Sequence, residues 1–228
     1  MTESVTGSVP RFKELCLDTT GDGVELGRFW AAATGCTYVP APDGEGPGDV
    51  VGAVEGMGIA LCPVPEEKSV KHRVHLDVHT GAVESLLALG ATRAPSYAED
   101  EGWTVLLDPE GGELCAFVRQ EVPAYRTYEL SVDSTEPEAI ARWWGEVFGV
   151  PALNEGEPWW WLEQVPGAPF KSMVFAPVPE PKTVKNRLHW DVYGDAQDFL
   201  DRGATHLWDT EGWTVLADPE GNEFCVFG

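Results

Sequence analysis

Apolar and polar residues alternate with a period of two in several short runs, and each run gives way to a stretch with helical spacing. In 127–133, Tyr128, Leu130 and Val132 fall on one face while Glu129, Ser131 and Asp133 fall on the other, as in a half-buried strand. The segment 12–18 reads as the same kind of strand near the start of the chain. Each is followed by apolar residues at i, i+3, i+4 and i+7: Leu26, Phe29, Trp30 and Ala33, then Ile140, Trp143, Trp144 and Val147. Ser134 or Thr135 offers a cap to the second helix, Pro137 suits its first turn, and Gly35 and Gly149 mark the two C-terminal ends. The aromatic pairs on these helices read as core. Two or three strands are expected within 48–62 and again within 159–176. A further strand follows at 73–79 or 187–193, and then a second helix carrying Val83, Leu86 and Leu87, or Ala196, Phe199 and Leu200, which stops at GAT in both places. The last strands are expected at 103–107 and 113–118, and at 213–217 and 223–227, joined by the tight-turn sequences DPEGG and DPEGN.

This order occurs twice because the sequence does. PVPEEKSVKHRVHLDV at 63–78 returns as PVPEPKTVKNRLHWDV at 177–192, and EGWTVLLDPEGGELCAF at 101–117 returns as EGWTVLADPEGNEFCVF at 211–227. A repeat of that length exceeds the unit of a solenoid, so each copy is a candidate domain, 11–118 and 126–228, with the polar stretch 119–126 as linker. The predicted class is α+β. Helices that separate clusters of strands, each with one apolar face, favour sheets covered on one side and free to curl into a cup on the other.

Alternation then sorts the side chains. Leu15, Leu17, Val74, Leu76, Val78, Leu114, Ala116 and Val118 are expected to face helices. The first copy's cup would receive Glu14, Cys16, Asp18, Arg73, His75, Asp77, His79, Glu113, Cys115 and Phe117. The second would receive Glu129, Ser131, Asp133, Arg187, His189, Asp191, Tyr193, Glu223, Cys225 and Phe227. Each cup histidine has an aspartate two residues along the same face, a spacing that suits acid–base or metal-supporting chemistry and equally a satisfied structural pair. Trp159 and Trp161 share one strand face with Trp160 opposite. They would stack on a flat or cationic ligand if that face is the cup, or form a packing seam if it is not. His72 and His206 read as surface residues.

Composition narrows the partners. The formal charge is −23, from 38 acidic and 15 basic residues, which repels phosphate backbones and anionic lipid surfaces. Nucleic acid and membrane are therefore not expected as partners. No apolar run approaches the roughly 20 residues of a spanning helix. Residues 1–10 lack the basic and apolar regions of a signal peptide, so the chain is expected in the cytoplasm. Five cysteines without paired spacing read as thiols. The basic windows Lys68, Lys71, Arg73 and Lys182, Lys185, Arg187 could receive an anionic ligand or pair with neighbouring carboxylates.

The opening strand, the helix with its aromatic pair (Phe29-Trp30, Trp143-Trp144), the strand HLDV or HWDV and the terminal DPEGNEFC, in that order and twice over, resemble the vicinal oxygen chelate superfamily of glyoxalase-like, bleomycin-resistance-like and extradiol-dioxygenase-like proteins. The resemblance implies tandem domains, each of two βαβββ modules, with a half-barrel cup in each domain or between paired modules. It also implies a divalent metal held by a first-strand residue, a histidine of the middle strand and a glutamate of the last. These positions map to Glu14, His75 and Cys115, and to Glu129, His189 and Cys225. Glutamate replaces the usual first-strand residue and cysteine the usual last one, a donor set better suited to zinc than to magnesium; no cofactor is certain from this altered trio.

Three functions stay open. The chain binds a small aromatic or anionic molecule in a Trp-lined cup through Arg73, His75, Asp77, Trp159, Trp161, Arg187, His189 and Asp191, without need of metal. Alternatively it is a metal-dependent enzyme of the lyase, isomerase or dioxygenase type, or a degenerate scaffold for a protein partner. No catalytic residue is identified. A tandem chain can complete its cups internally, so a monomer or loose homodimer is expected.

Overall fold

The computed structural model describes residues 9–42, 44–95 and 102–228, so the reading of the first eight residues lies outside it. Four βαβββ modules follow one another. The first holds β1 (Arg11–Thr19), α1 (Val24–Thr34), β2 (Thr37–Val39), β3 (Asp49–Val51) and β4 (Ile59–Pro63). The second holds β5 (Val74–Thr80), α2 (Val83–Ala88), β6 (Thr92–Arg93), β7 (Thr104–Leu107) and β8 (Glu113–Val118). The third holds β9 (Thr127–Ser134), α3 (Pro137–Phe148), β10 (Ala152–Leu153), β11 (Trp160–Glu163) and β12 (Ser172–Pro177), and the fourth β13 (Leu188–Tyr193), α4 (Ala196–Asp201), β14 (Thr205–Asp209), β15 (Thr214–Ala217) and β16 (Glu223–Phe227).

The α+β class and the modular order agree with the sequence reading, but strand pairing crosses the repeats. One sheet runs β14-β15-β16-β13-β1-β4-β3-β2 and the other β10-β11-β12-β9-β5-β8-β7-β6. The outer modules, first and fourth, share a sheet, and the inner modules share the other. Each seam is an antiparallel pair of module-opening strands, β1 with β13 and β5 with β9. The cups therefore form between paired modules, one of the two arrangements the resemblance allowed. Apolar residues from both sheets and from α1 to α4 join one continuous buried cluster that includes Leu15, Trp30, Leu76, Leu130, Trp144 and Trp190.

Local chemistry explains the main boundaries. α1 and α3 end at Gly35 and Gly149, both in the left-handed region (φ 79° and 68°), where a side chain would be strained. The cap of α3 is not what local sequence suggests. Ser134 Oγ accepts from Glu136 N, but the carboxylate of Glu220, from the distant DPEGN turn, accepts from the backbone of Thr135 (2.8 Å) and Glu136 (2.9 Å). Glu220→Ala should therefore lower stability by about 1–2 kcal/mol, the usual cost of a lost N-terminal cap, measurable by urea unfolding.

The same turns tie modules together within each repeat. Asp108 accepts from the Trp30 indole at 3.1 Å and Asp218 from the Trp144 indole at 3.2 Å, both inside the core. Between repeats the ties come from the basic windows. Arg73 donates to the carbonyls of Glu180 and Asp133, and Arg187 to those of Glu66 and Asp18. The pairs of Lys71 with Asp133 and Lys185 with Asp18 also cross between repeats, whereas Lys68 with Glu113 and Lys182 with Glu223 pair within one repeat.

Four details depart from the sequence reading. His72 is buried, not on the surface, because its loop folds over Glu113, whose carboxylate accepts from its backbone N–H. Val118 is half exposed, being the last residue of β8 and beyond helical cover. Cys16 and Cys62 form a disulfide. Because β1 and β4 run parallel with Cys16 opposite Ala60, Cys62 lies diagonally across on the same face. Finally, β1 bulges at Lys13 and β9 at Tyr128, which turns Tyr128 out of its expected place beside Leu130 and onto the cup side.

Candidate functional site

The inner sheet curls around a cavity of about 790 Å³. Strand register accounts for its lining. His75 lies opposite Ser131, Asp77 opposite both Glu129 and Cys115, and His79 opposite Phe117, so all share one face. Glu129 in turn lies opposite Ser172, and Trp161 opposite Val174. Trp159 and Trp161 belong to this cup and form one wall, while Trp160 points the other way, under the Arg142 guanidinium. Trp103 stacks on Phe117 at 5.9 Å on the opposite wall, and Tyr128 meets Phe117 edge-on at 5.2 Å. Trp103 and Tyr128 were not among the sequence candidates. The repeat sequence EGWTV marks the first, but the bulge that aims the second leaves no trace in the alternation.

The floor carries the ionisable groups. His75 Nε2 stands 3.5 Å from Asp77 Oδ1, and Ser131 donates to the other Asp77 oxygen at 2.9 Å. Burial holds the His75 imidazole neutral by pushing its pKa down to about 4. Burial, then the Glu129 charge, pushes the Asp77 carboxyl up to about 8. Burial and the neighbouring Asp77 push the Cys115 thiol well above its ordinary range, so it is no nucleophile in this state. Burial likewise raises Glu129, whose carboxylate accepts from Ser172 at 2.5 Å.

The outer sheet repeats this frame with a different filling. Cys16 lies opposite His189, Glu14 opposite Asp191, and Asp191 opposite Cys225. Glu14 is thus gathered with His189 and Cys225, and Glu129 with His75 and Cys115, an exchange relative to the trios mapped along the sequence. The cause is the cross-repeat seam, which puts each module-opening strand beside the other copy's middle strand. Lys13 occupies this second cup. Its ammonium pairs with Glu14, stands 3.8 Å from Asp191 and lies 4.2 Å from the centre of the Phe227 ring. The disulfide lies on the same wall. A neighbouring hollow of about 580 Å³ reaches Lys13 and Glu14, but its lining includes none of His189, Asp191 and Cys225. We call the inner-sheet cup open and this one closed.

Arg73 and Arg187 face neither cup. They line a third cleft, of about 770 Å³, between the two basic windows, in which Lys71 and Lys185 are paired with Asp133 and Asp18.

A divalent metal, which the resemblance implies, has a fitting donor set in the open cup. One donor atom each from His75, Asp77 and Cys115 lie within 4.8 Å of one another, and His75 Nδ1 and Asp77 Oδ1 are buried without hydrogen-bond partners. Imidazole, carboxylate and thiolate suit zinc, with Glu129 beside them as a further oxygen donor. Asp77 and Asp191 take the place that the sequence reading gave to first-strand glutamates. His189, Asp191 and Cys225 form the equivalent group in the closed cup, where Lys13 already supplies a positive charge.

Comparisons with known proteins agree with this architecture. Residues 14–117 and 129–227 each match a family model described as a glyoxalase-like domain. No curated protein matches the chain at a significant level. Among solved structures, glyoxalase I from Zea mays is similar over 96% of this chain and 92% of its own, with a TM-score of 0.65 and 11% identity. A protein from Bacillus subtilis subsp. subtilis str. 168, provisionally described as a dioxygenase, is similar over 95% of this chain and 84% of its own, with a TM-score of 0.61 and 14% identity. At such identities the likeness is one of fold.

Proposed function

The chain belongs to the glyoxalase-like domain family, within the vicinal oxygen chelate superfamily, and from that premise we propose that it binds a small, flat aromatic molecule in the open cup. The observation that carries this reading is the asymmetry between the cups. One frame is filled by a lysine, while the other is a cavity of about 790 Å³ walled by Trp103, Trp159, Trp161, Phe117 and Tyr128. That volume is in the range of small-molecule sites, and the pattern of aromatic walls with a few convergent polar groups is typical of them. A ring inserted between Trp161 and the Trp103–Phe117 stack would gain about 0.5–1.5 kcal/mol per aromatic contact beyond the area it buries. His75, Asp77 and Glu129 on the floor would orient its polar substituent.

Titration of the chelator-treated protein with aromatic compounds, followed by quenching of tryptophan fluorescence, tests the reading. Saturable quenching is expected, and Trp161→Ala should weaken it about tenfold, the loss of roughly 1.4 kcal/mol. An unaltered affinity in Trp161→Ala would place the ligand elsewhere.

A second reading, metal-dependent enzyme chemistry, is favoured by the His75, Asp77 and Cys115 cluster. A bound divalent ion would act as a Lewis acid on a substrate oxygen. The chain's own part would be to hold a neutral imidazole at His75, to surrender protons from Asp77 and Cys115, and to keep water out with the tryptophan walls. Elemental analysis of protein purified without chelator should then find about one zinc per chain, lost in His75→Ala.

A further inference from the structure

The two cups are the same frame, position for position, and the closed one contains what the open one lacks. Along β1 and β9, Lys13 corresponds to Tyr128, Glu14 to Glu129 and Cys16 to Ser131. Along the partner strands, Asp191 corresponds to Asp77, Cys225 to Cys115 and Phe227 to Phe117. In the closed cup a primary ammonium sits against both carboxylates, Glu14 and Asp191, over the Phe227 ring. In the open cup the same carboxylates and the same ring remain, but Tyr128 leans aside onto His79, ring centres 4.4 Å apart, and brings no charge.

The surrounding cations stop short of the floor: the Arg119 guanidinium lies 5.3 Å from the centre of the Phe117 ring and, like Lys171, acts on Glu129 only from a distance. Lys171 lines the rim, 5.7 Å from the Tyr128 ring, yet among the described residues no ion pair joins it to Asp77 or Glu129. Lys71 is paired with Asp133. Five acidic side chains, those of Asp77, Glu113, Glu129, Glu155 and Glu163, line the cavity against two amines; Glu113 is paired with Lys68, and burial favours the protonated form of Asp77 until a cation arrives beside it. Asp77 Oδ1 is buried with no hydrogen-bond partner. An orphaned buried carboxylate oxygen facing a cavity is a place where a donor from a ligand gains the most. The charge of −23 would draw a cation toward the cup from a distance.

We propose that the open cup takes an aromatic molecule bearing a protonated amine, and that its ammonium seats between Asp77 and Glu129, as Lys13 does between Asp191 and Glu14 in the closed cup. The inference rests on the aromatic-binding reading and narrows it to organic cations. Arylalkylamines, with a short flexible arm between ring and nitrogen, are the chemical class the geometry fits. The ring would lie between Trp161 and Trp103, and the arm would follow the path that the lysine side chain takes in the other cup.

The test compares tryptamine with tryptophol, its neutral near-isostere, by calorimetric titration in the presence of chelator. Tryptamine should bind at least tenfold more tightly. Tyr128→Lys, which installs the closed cup's lysine, should abolish that preference. Glu129→Gln should reduce the preference in the same direction if Tyr128→Lys fails to fold. Equal affinity for the two probes in the parent protein would overturn the ammonium site and leave aromatic binding standing. Binding of neither probe would overturn both. Tryptamine binding that appears only after zinc is added would assign the floor to a metal and overturn the inference.

Discussion

Asp218→Ala should destabilise the protein by about 3–5 kcal/mol, more than an average substitution and enough to move a urea midpoint by one molar or more. The carboxylate is 2% exposed and serves several donors at once. Its oxygens accept from the Trp144 indole, from the backbone of Glu220 and Asn222, and from the Asn222 side chain. Trp144 is fully buried against Phe148, Trp190 and Phe224, so its N–H has no route to water once the acceptor is gone. Asp218→Asn keeps the shape and separates charge from hydrogen bonding. Burial raises the Asp218 pKa to about 6, above its ordinary value. A raised carboxyl contributes its full stability below about pH 4 and loses it as pH rises through about 6. The parent should therefore lose about 2 kcal/mol relative to Asp218→Asn between pH 4 and pH 7. A difference that does not change with pH would mean that Asp218 is charged throughout.

The second large effect concerns the disulfide. Replacing Cys16 by Ser and Cys62 by Ala gives the outer sheet the residues that the inner sheet carries at equivalent positions, Ser131 and Ala176. The double variant should lose about 2–4 kcal/mol, because the bond closes a loop of 46 residues in the unfolded chain. Reducing agent should lower the parent's unfolding midpoint to that of the variant and leave the variant unchanged. Since the bond lies in the closed cup, ligand affinity in the open cup should be the same in both proteins at temperatures where both are folded. A parent insensitive to reductant would mean that the thiols are free.

Much of this was legible in the sequence because it is local or repeated. The strand at 113–118 and the helix stops at Gly35 and Gly149 follow from periodicity and from the need for a left-handed residue; the doubled segments announced two copies, and the family resemblance implied two modules in each. His75, Asp77, Trp159 and Trp161 were all candidates, and the structure gathers them in one cavity. What could not be read is whatever depends on which strand lies beside which. Glu14 and Glu129 were assigned to cups by chain order, whereas the β1–β13 and β5–β9 seams exchange them. Cys16 and Cys62 meet only because parallel strands set them diagonally. Arg73 and Arg187 looked like cup residues by alternation, yet each lies just ahead of its strand and turns to carbonyls of the other repeat. Lys13 carries no sequence signal as an occupant of a cup; only the bulge in β1, which pairing reveals, aims it there.

The order of the modules along the chain has a kinetic side. The open cup is built from 74–177, a continuous stretch whose central seam joins β5 to β9 across residues 81–126, while the closed cup must bring the first 63 residues to the last 41. Closing the shorter loop costs less entropy and is the faster event. During synthesis the open cup can thus take shape before the final module has emerged, with the opening module waiting, its partner edge bare, for the last strands to arrive. Filling the late-forming cup with the chain's own lysine, whose ammonium reaches Asp191 and the Phe227 ring of the last module, gives that final docking step its own adhesive, independent of any ligand.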